Sequence, residues 1–198
     1  ETDFNTNVQT NTETFTTKDF SGDTWVISSK RENKLLEKLN NVYVSLDEYV
    51  NGNANYGIKT GFTEGFIISE DIKAKEIIKP VLRGRDIKKW IAKPIEKYLI
   101  STFPAFNLDI NDYSSIKDHL LKYGKKRLEQ SGEKGSRKKS SGKWFETQDS
   151  IDYWELFNKP KIMYQKFQVS PCFIYDEQGL YCNDSMWIIP TENKSLLG

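Results

Sequence analysis

Two short triplets place a glutamate two residues before a lysine, the E-x-K form of nuclease active sites. They are Glu32-Asn33-Lys34 and Glu192-Asn193-Lys194. Because the chain contains 29 Lys and Arg and 28 Asp and Glu, such triplets arise by chance, and we expect no nuclease activity. The single histidine, His119, has no second His or Cys at ligand spacing, so we expect no metal site.

Basic side chains are the other group suited to binding chemistry, and they are concentrated in two segments. Residues 117–143 carry ten basic and three acidic side chains, and residues 59–90 carry eight and five. Neutralising phosphates releases their condensed counterions, so this concentration favours a phosphate-binding face. The alternative is a solvated lysine-rich surface without a partner.

A cationic turn, Arg83-Gly84-Arg85-Asp86, follows an apolar run in the second segment. Pro80 fixes φ and Gly84 can adopt a positive φ, so we expect a sharp bend on a rigid base. Two interpretations remain open. Either Arg85 pairs with Asp86 or another acid and only holds the turn, or at least one of the two arginines faces a partner.

A resemblance to a known family rests on sequence blocks in a shared order. They include I-I-K-P-V-L-R-G-R-D-I-K-K-W at 77–90, preceded by 56–68 and followed by 98–102, 113–120, 144–146 and 159–164. Together they resemble the TaqI-like C-terminal specificity domain, the target-recognition region of adenine-methylating restriction–modification enzymes, including type IIG enzymes and phage-defence methyltransferases. Ser114 stands where the family usually has proline, and this affects only the start of the helix. Residues 132–143 form a Lys/Ser/Gly insertion, so the recognised sequence cannot be carried over.

The resemblance implies sequence-specific binding of double-stranded DNA in a bacterial cytoplasm, with the chemistry located elsewhere. An upstream methyltransferase domain would methylate adenine at N6, using S-adenosylmethionine as the cofactor of the parent enzyme. The sequence has no Asn-Pro-Pro-Tyr or Asp-Pro-Pro-Tyr motif to hold a flipped adenine, so we expect no catalytic residue and no cofactor in this chain. The alternative is a scaffold that docks the methyltransferase or nuclease domains and contacts DNA little.

The candidate DNA contacts lie between glycines at 57 and 61, in the arginine turn, on a basic helix, in the basic loop and at the start of a strand. They are Lys59, Thr60, Arg83, Arg85, Lys88, Lys89, Lys125, Lys126, Arg127, Arg137, Lys138, Lys139, Lys143 and Lys161. Arg to guanine and Asn or Gln to adenine would make paired hydrogen bonds with bases. Trp144 and Phe145, beside the basic loop, could instead belong to the core.

The sequence patterns around these residues predict an α+β fold. We expect a single mixed domain with a β-sheet and hairpin core, packed helices and long loops. We expect an arm or extended strand over 1–24 and the recognition domain over 25–198. The S-x-x-E sequence from Ser29 predicts a helix over 30–40, and Asp112 is expected to cap the basic helix. Strands are predicted over 98–102 and 161–169, with a hairpin over 173–189 around Gly179. Residues 131–143 contain no apolar side chain, so they cannot bury a core, and we expect them to be mobile without a partner.

Composition restricts the remaining classes. The chain is 37% hydrophobic with a mean hydropathy of −0.66, and it has neither an 18-residue apolar run nor a signal-peptide pattern. We therefore expect neither membrane insertion nor secretion. Cys172 and Cys182 flank a turn, and reduced thiols are favoured over a single bridge. The first residue, Glu1, and the apolar last residues predict a piece of a longer protein.

Overall fold

The structure is a computed structural model, and it describes residues 15, 29–69 and 75–197. Its contacts divide the chain into two units, with the boundary between Asn51 and Gly52. Apart from Phe15, the arm predicted over 1–24 lies outside the described residues, as does the boundary predicted after residue 24. Both stay predictions.

The described part of the first unit contains two helices, α1 (Lys30–Val42) and α2 (Leu46–Tyr49). The hydroxyl of Ser29 accepts from the Glu32 N–H at 3.2 Å, and the Glu32 carboxylate accepts from the Ser29 N–H at 2.8 Å. This reciprocal pair satisfies donors that the helix itself leaves free. The predicted capping box and helix are confirmed.

The second unit is built on two four-stranded sheets and a two-stranded ribbon. The first sheet is antiparallel and consists, in spatial order, of β1 (Asn55–Tyr56), β10 (Met186–Pro190), β7 (Lys161–Gln165) and β8 (Phe173–Asp176). The second consists of β2 (Ile67–Ile68), β6 (Tyr98–Ile100), β3 (Ile78–Leu82) and β9 (Tyr181–Cys182), with β9 parallel to β3. The ribbon pairs β4 (Ile87–Lys88) with β5 (Ile91–Ala92). The α+β class is confirmed.

Strand β6 separates two hydrophobic cores because successive side chains of a strand point to opposite faces. Leu99 joins a core formed by both sheets, which includes Val81 of β3 and Met163 of β7. Ile100, the next residue, joins a second core with Ile116 and Leu120. The core strand predicted over 98–102 is therefore present, and its pairing with β3 ends at Ile100.

The predicted basic helix is divided into two helices. Asp109, rather than Asp112, caps a 3₁₀ turn over Ile110–Asp112 by accepting from the Asn111 N–H at 2.9 Å. Helix α4 (Ser114–Leu121) then begins without a side-chain cap, and α5 (Lys125–Leu128) follows Gly124, whose φ is +81°. A third short helix, α3 (Thr63–Phe66), directly precedes β2 and lies before α4 and α5 in the chain.

The hairpin predicted over 173–189 is wrong, because its strands pair elsewhere. Strand β8 pairs with β7, and β9 pairs with β3 of the other sheet. The Asp176 carboxylate accepts from the N–H groups of Gln178 (3.0 Å) and Leu180 (2.9 Å), which fixes a turn that leads out of the first sheet. Strand β7 ends at Gln165, four residues before its predicted end.

Within the described residues, no helix has the length and apolar character needed to cross a bilayer. Cys172 and Cys182 are both free thiols.

Candidate nucleic-acid interface

An open cleft of about 490 Å³ lies where the 3₁₀ turn Gly84–Asp86 meets the end of β7 and the segment between β9 and β10. Its lining is polar or cationic apart from one glycine and one aromatic ring, and none of its members is acidic. The lining residues are Thr63, Arg83, Gly84, Arg85, Gln165, Phe167, Asn183 and Ser185.

The two arginines of the turn have different surroundings. Arg83 Nε and Nη2 donate to the two Asp86 carboxylate oxygens at 2.7 and 2.9 Å, and the Arg83 N–H donates to the same carboxylate at 2.9 Å. Burial alone would raise the pKa of Asp86, but the hydrogen bonds and charge of Arg83 outweigh it and the pKa is lowered. Arg85 is exposed and makes no hydrogen bond or ion pair with any described residue. Arg83 therefore holds the turn, whereas Arg85 faces solvent.

Side chains of the cleft hold both backbone polar groups of Gly84. Its N–H donates to Ser185 Oγ at 2.8 Å, and its carbonyl accepts from Gln165 Nε2 at 2.6 Å. Ser185 Oγ in turn donates to Asn183 Oδ1 at 2.6 Å. In the part of the chain that the structure describes, Asn183 Nδ2 and Gln165 Oε1 have no hydrogen-bond partner. They remain free for a ligand.

The backbone around Asn183 is fixed by a close approach between two chain segments. The Ile58 N–H donates to the Cys182 carbonyl at 2.8 Å, and the Asn183 N–H donates to the Leu82 carbonyl at 3.1 Å. A Cβ added at Gly57 would stand 2.0 Å from the Asn183 carbonyl oxygen, so this approach requires glycine. The cleft is therefore built on a rigid frame.

The basic loop, residues 131–143, is held by Arg137, which is only 2% exposed. Its guanidinium donates to the carbonyls of Leu128 (2.7 Å), Thr60 (2.9 Å), Glu146 (2.7 Å) and Trp144 (2.8 Å). Burial lowers the pKa of Arg137 to about 10, so the group stays charged at neutral pH. The loop contributes no side chain to either hydrophobic core, but it buries this one cation. Its mobility without a partner stays a prediction.

Three candidate DNA contacts have buried side chains. Arg137 uses its donors on the four carbonyls, and Thr60, 4% exposed, lies beneath it. Lys161 is fully buried, forms an ion pair with Asp176 and donates to the Phe157 carbonyl at 2.5 Å. The pairing register places Lys161 directly opposite Asp176, which explains why this lysine turns inward. We therefore withdraw these three as DNA contacts.

The other candidate cations lie at the surface. Arg127 is half-buried, with its guanidinium 4.3 Å from the Phe62 ring centroid. Lys143 lies 3.5 Å from the Glu146 carboxylate, and Lys89 lies over Trp90 at 5.6 Å. The exposed lysines among these candidates are Lys59, Lys88, Lys89, Lys125, Lys126, Lys138, Lys139 and Lys143.

Gln148 brings two of these exposed lysines, Lys59 and Lys138, to one place. Its N–H donates to the Lys59 carbonyl at 3.0 Å, and its Nε2 donates to the Lys138 carbonyl at 3.1 Å. Burial raises the pKa of the neighbouring Asp149, and the two ammonium groups oppose this shift. The glycine-flanked segment and the basic loop thus form one cationic surface.

Trp144 and Phe145 belong to the second core, with Phe145 only 6% exposed. Among the described residues, no group of three or more His, Cys, Asp or Glu could hold a metal ion.

Sequence patterns did not indicate Gln165, Phe167, Asn183 or Ser185 as site residues. One signal was present, since Asn183-Asp184-Ser185 is a polar triplet between the apolar strands β9 and β10. Gln165 and Phe167 carry no such signal, because their position depends on where β7 ends.

No protein-family model matches the chain, so the resemblance to the TaqI-like specificity domain stays a prediction. Among solved structures, the chain is similar to the type IIL restriction–modification enzyme MmeI, whose structure is a complex with DNA. The TM-score is 0.41 at 9% sequence identity, and the match covers 71% of this chain and 19% of that one. This chain thus spans about a fifth of the length of MmeI, and the likeness is a coarse one of fold.

Proposed function

We propose that this chain recognises duplex DNA at the cleft, as the target-recognition domain of an adenine-N6 DNA methyltransferase in a restriction–modification enzyme. The cleft is the observation that carries the proposal. It gathers a guanidinium, a free amide N–H and a free amide oxygen on a rigid frame without an acidic side chain.

These groups match the edges of bases in the major groove. Arg85 can donate two parallel hydrogen bonds to guanine O6 and N7. Asn183 Nδ2 can donate to a base acceptor such as a purine N7, and Gln165 Oε1 can accept from the amino group of adenine or cytosine. Because Gln165 Nε2 already binds the Gly84 carbonyl, Gln165 would make one base contact and not a pair.

The exposed lysines would bind phosphates and position the duplex without selecting a sequence. The assignment to a methyltransferase rests on the sequence resemblance. An upstream domain of the parent enzyme would bind S-adenosylmethionine and methylate adenine in the cytoplasm. This chain would take no catalytic part.

The test compares the two arginines of the turn. A preferred sequence is first selected from a pool of randomised duplexes, and binding is then measured on a panel of single-base variants. Arg85→Ala should keep the wild-type melting temperature, lose about 1–3 kcal/mol of binding free energy at one base pair and relax the preference there. Arg83→Ala should lower the melting temperature, because it removes the partner of Asp86.

Lys93→Ala, another exposed cation outside the cleft, is the matched control and should change neither property. The proposal fails if Arg85→Ala and the wild type give the same binding across the panel.

The scaffold remains the second candidate, and the surface of α1 favours it. Leu35, Leu36, Leu39 and Val42 are 42–65% exposed, which suits a contact with another protein domain. Titration of duplex DNA at two salt concentrations separates the candidates. A DNA-recognition domain binds much more weakly at the higher salt concentration, whereas a scaffold binds DNA weakly at both.

A further inference from the structure

The loop between β7 and β8, residues 166–172, carries two apolar side chains in solvent. Phe167 is 85% exposed and Val169 is fully exposed, the two highest values among the large hydrophobic residues that the structure describes. Phe167 also lines the cleft, together with Arg85 and Gln165. An aromatic ring therefore stands in water at the edge of the proposed DNA site.

The loop is braced by Gln168. Its Nε2 donates to the Gln165 carbonyl at 2.8 Å, and its Oε1 accepts from the Cys172 N–H at 2.7 Å. The Lys166 N–H donates to the Ser185 carbonyl at 2.9 Å, which ties the start of the loop to the cleft. The side chain between the two exposed residues thus holds the ends of the loop, while Phe167 and Val169 stay outside.

The surroundings of the ring indicate the chemistry of its partner. The Lys166 ammonium lies 5.8 Å from the ring centroid, and the exposed Arg85 lines the same cleft. A ring beside an ammonium group, in a cleft that also holds a guanidinium, fits a surface that presents flat apolar faces next to negative charge. Stacked bases between phosphates have this composition.

We infer that Phe167 is a wedge that inserts between two base pairs of the duplex bound in the cleft. This inference rests on the proposed function and adds how the site would deform its substrate. The ring would partly unstack one base step and kink the duplex next to the bases that Arg85 and Asn183 contact. Since pyrimidine–purine steps unstack most easily, the wedge would add a sequence preference without a hydrogen bond.

The experiment uses the 198-residue chain and the preferred duplex from the selection described above. A second set of duplexes carries one mismatch, moved along the site one step at a time, and a third set carries 2-aminopurine at the same steps. Phe167→Ala should weaken binding to the perfect duplex about 5- to 150-fold, as loss of one aromatic stacking contact does. A mismatch at the wedged step should strengthen wild-type binding, because the unstacking is already achieved.

The stronger binding to the duplex with a mismatch at the wedged step should disappear in Phe167→Ala and persist in Phe167→Trp. Wild-type protein should raise 2-aminopurine fluorescence at that step alone. Val169→Ala is the matched control on the same loop and should bind like the wild type. Melting temperatures of all variants should agree, since both side chains are exposed.

Equal binding of wild type and Phe167→Ala to perfect and mismatched duplexes overturns the wedge and leaves DNA recognition intact. Failure of the wild type to bind any duplex overturns the proposed function and the wedge together. If sedimentation shows that the wild type self-associates while Phe167→Ala is monomeric with unchanged DNA affinity, the loop contacts a second copy, and the wedge is wrong.

Discussion

Arg137 attaches the basic loop, residues 131–143, to the rest of the fold, because the loop has no apolar side chain that could do so. Its guanidinium is planar and carries five N–H donors, so it can reach carbonyls from separate chain segments at once. The segments meet at Thr60, Leu128 and residues 144–146. The cationic surface around the loop therefore depends on a cation that does not itself reach the surface.

Replacing Arg137 should destabilise the protein strongly. Arg137→Ala leaves the carbonyls of Thr60, Leu128 and Trp144 without their donor and the Glu146 carbonyl with only the Gln130 amide, so it should lower the free energy of unfolding by about 3–5 kcal/mol. Arg137→Lys should fall between this variant and the wild type, because one ammonium cannot reach all four carbonyls. Urea denaturation measures both. Lys138→Ala, at an exposed site on the same loop, is the control and should change the free energy of unfolding by about 0.5 kcal/mol or less. If Arg137→Ala is as stable as this control, Arg137 does not hold the loop.

Buried ionisable groups determine how stability depends on high pH. Burial raises the pKa of Cys182, Tyr181 and Tyr153, which titrate near 9.0, 10.0 and 10.0 when unfolded. Each group contributes stability that is present below its unfolded pKa and lost above it, at about 1.4 kcal/mol per pH unit. Burial lowers the pKa of Lys161. This shift makes stability rise with pH, but only below the unfolded pKa of Lys161, 10.5.

The free energy of unfolding should therefore fall steeply above about pH 10. In Tyr181→Phe, one of these protons is absent, so the fall should be shallower, by at most about 1.4 kcal/mol per pH unit. Urea denaturation at about pH 9.5, 10, 10.5 and 11 gives the free energy of unfolding at each pH. The slope of this free energy against pH is then compared between Tyr181→Phe and the wild type. Identical slopes for the two proteins would show that the Tyr181 phenol is not protected by the fold.

At the scale of elements, the basic loop should supply attraction that is independent of sequence. Lys138 and Lys139 are exposed on it, and their replacement by serine should weaken binding to preferred and unrelated duplexes equally. If each lysine contacts one phosphate, the slope of log K against log salt should decrease by about 0.9 per lysine. Titrations at four salt concentrations measure this slope.

The matched control replaces Lys34 and Lys38, two exposed lysines of α1, with serine. Equal slopes for the loop variant and the wild type would identify the loop as a solvated surface without a phosphate contact.

Elements that depend on local signals could be predicted from the sequence. Helix α1 follows from Ser29 and Glu32, whose side chains complete each other's hydrogen bonds within one turn. The route of the chain after β8 could not be predicted, since Gly179 indicates a turn but not which sheet receives the next strand. That choice depends on Val81 and Leu82 of β3, about a hundred residues earlier in the chain.

The candidate site shows the same limit. Counting charge identified the cationic segments, but charge alone does not separate exposed Lys138 from buried Arg137. Lys161 resembles any surface lysine until the strand register places Asp176 opposite it. Of the cleft residues, Gln165 ends β7 of the first sheet and Asn183 follows β9 of the second, so only the folded chain brings them together.

At the scale of the molecule, the second unit should fold and bind DNA without the first. A chain of residues 52–198 should unfold in one cooperative thermal transition. It should bind the preferred duplex within about twofold of the whole chain, since the cleft and the exposed lysines of the proposed interface all lie after residue 51. A chain of residues 52–179 is the control, and it should be unfolded because it lacks β9 and β10. A large loss of affinity in 52–198 would place part of the DNA site in the first unit.

The pairing of β1 with β10 and of β3 with β9 has a consequence for synthesis on the ribosome. The early strands of the second unit emerge first and must wait for partners encoded about a hundred residues or more later. Until Pro190 has left the exit tunnel, the first sheet lacks the strand that joins β1 to β7. The nascent chain would therefore expose apolar strands for most of its elongation, and holdase chaperones would have their longest access to this unit just before it closes.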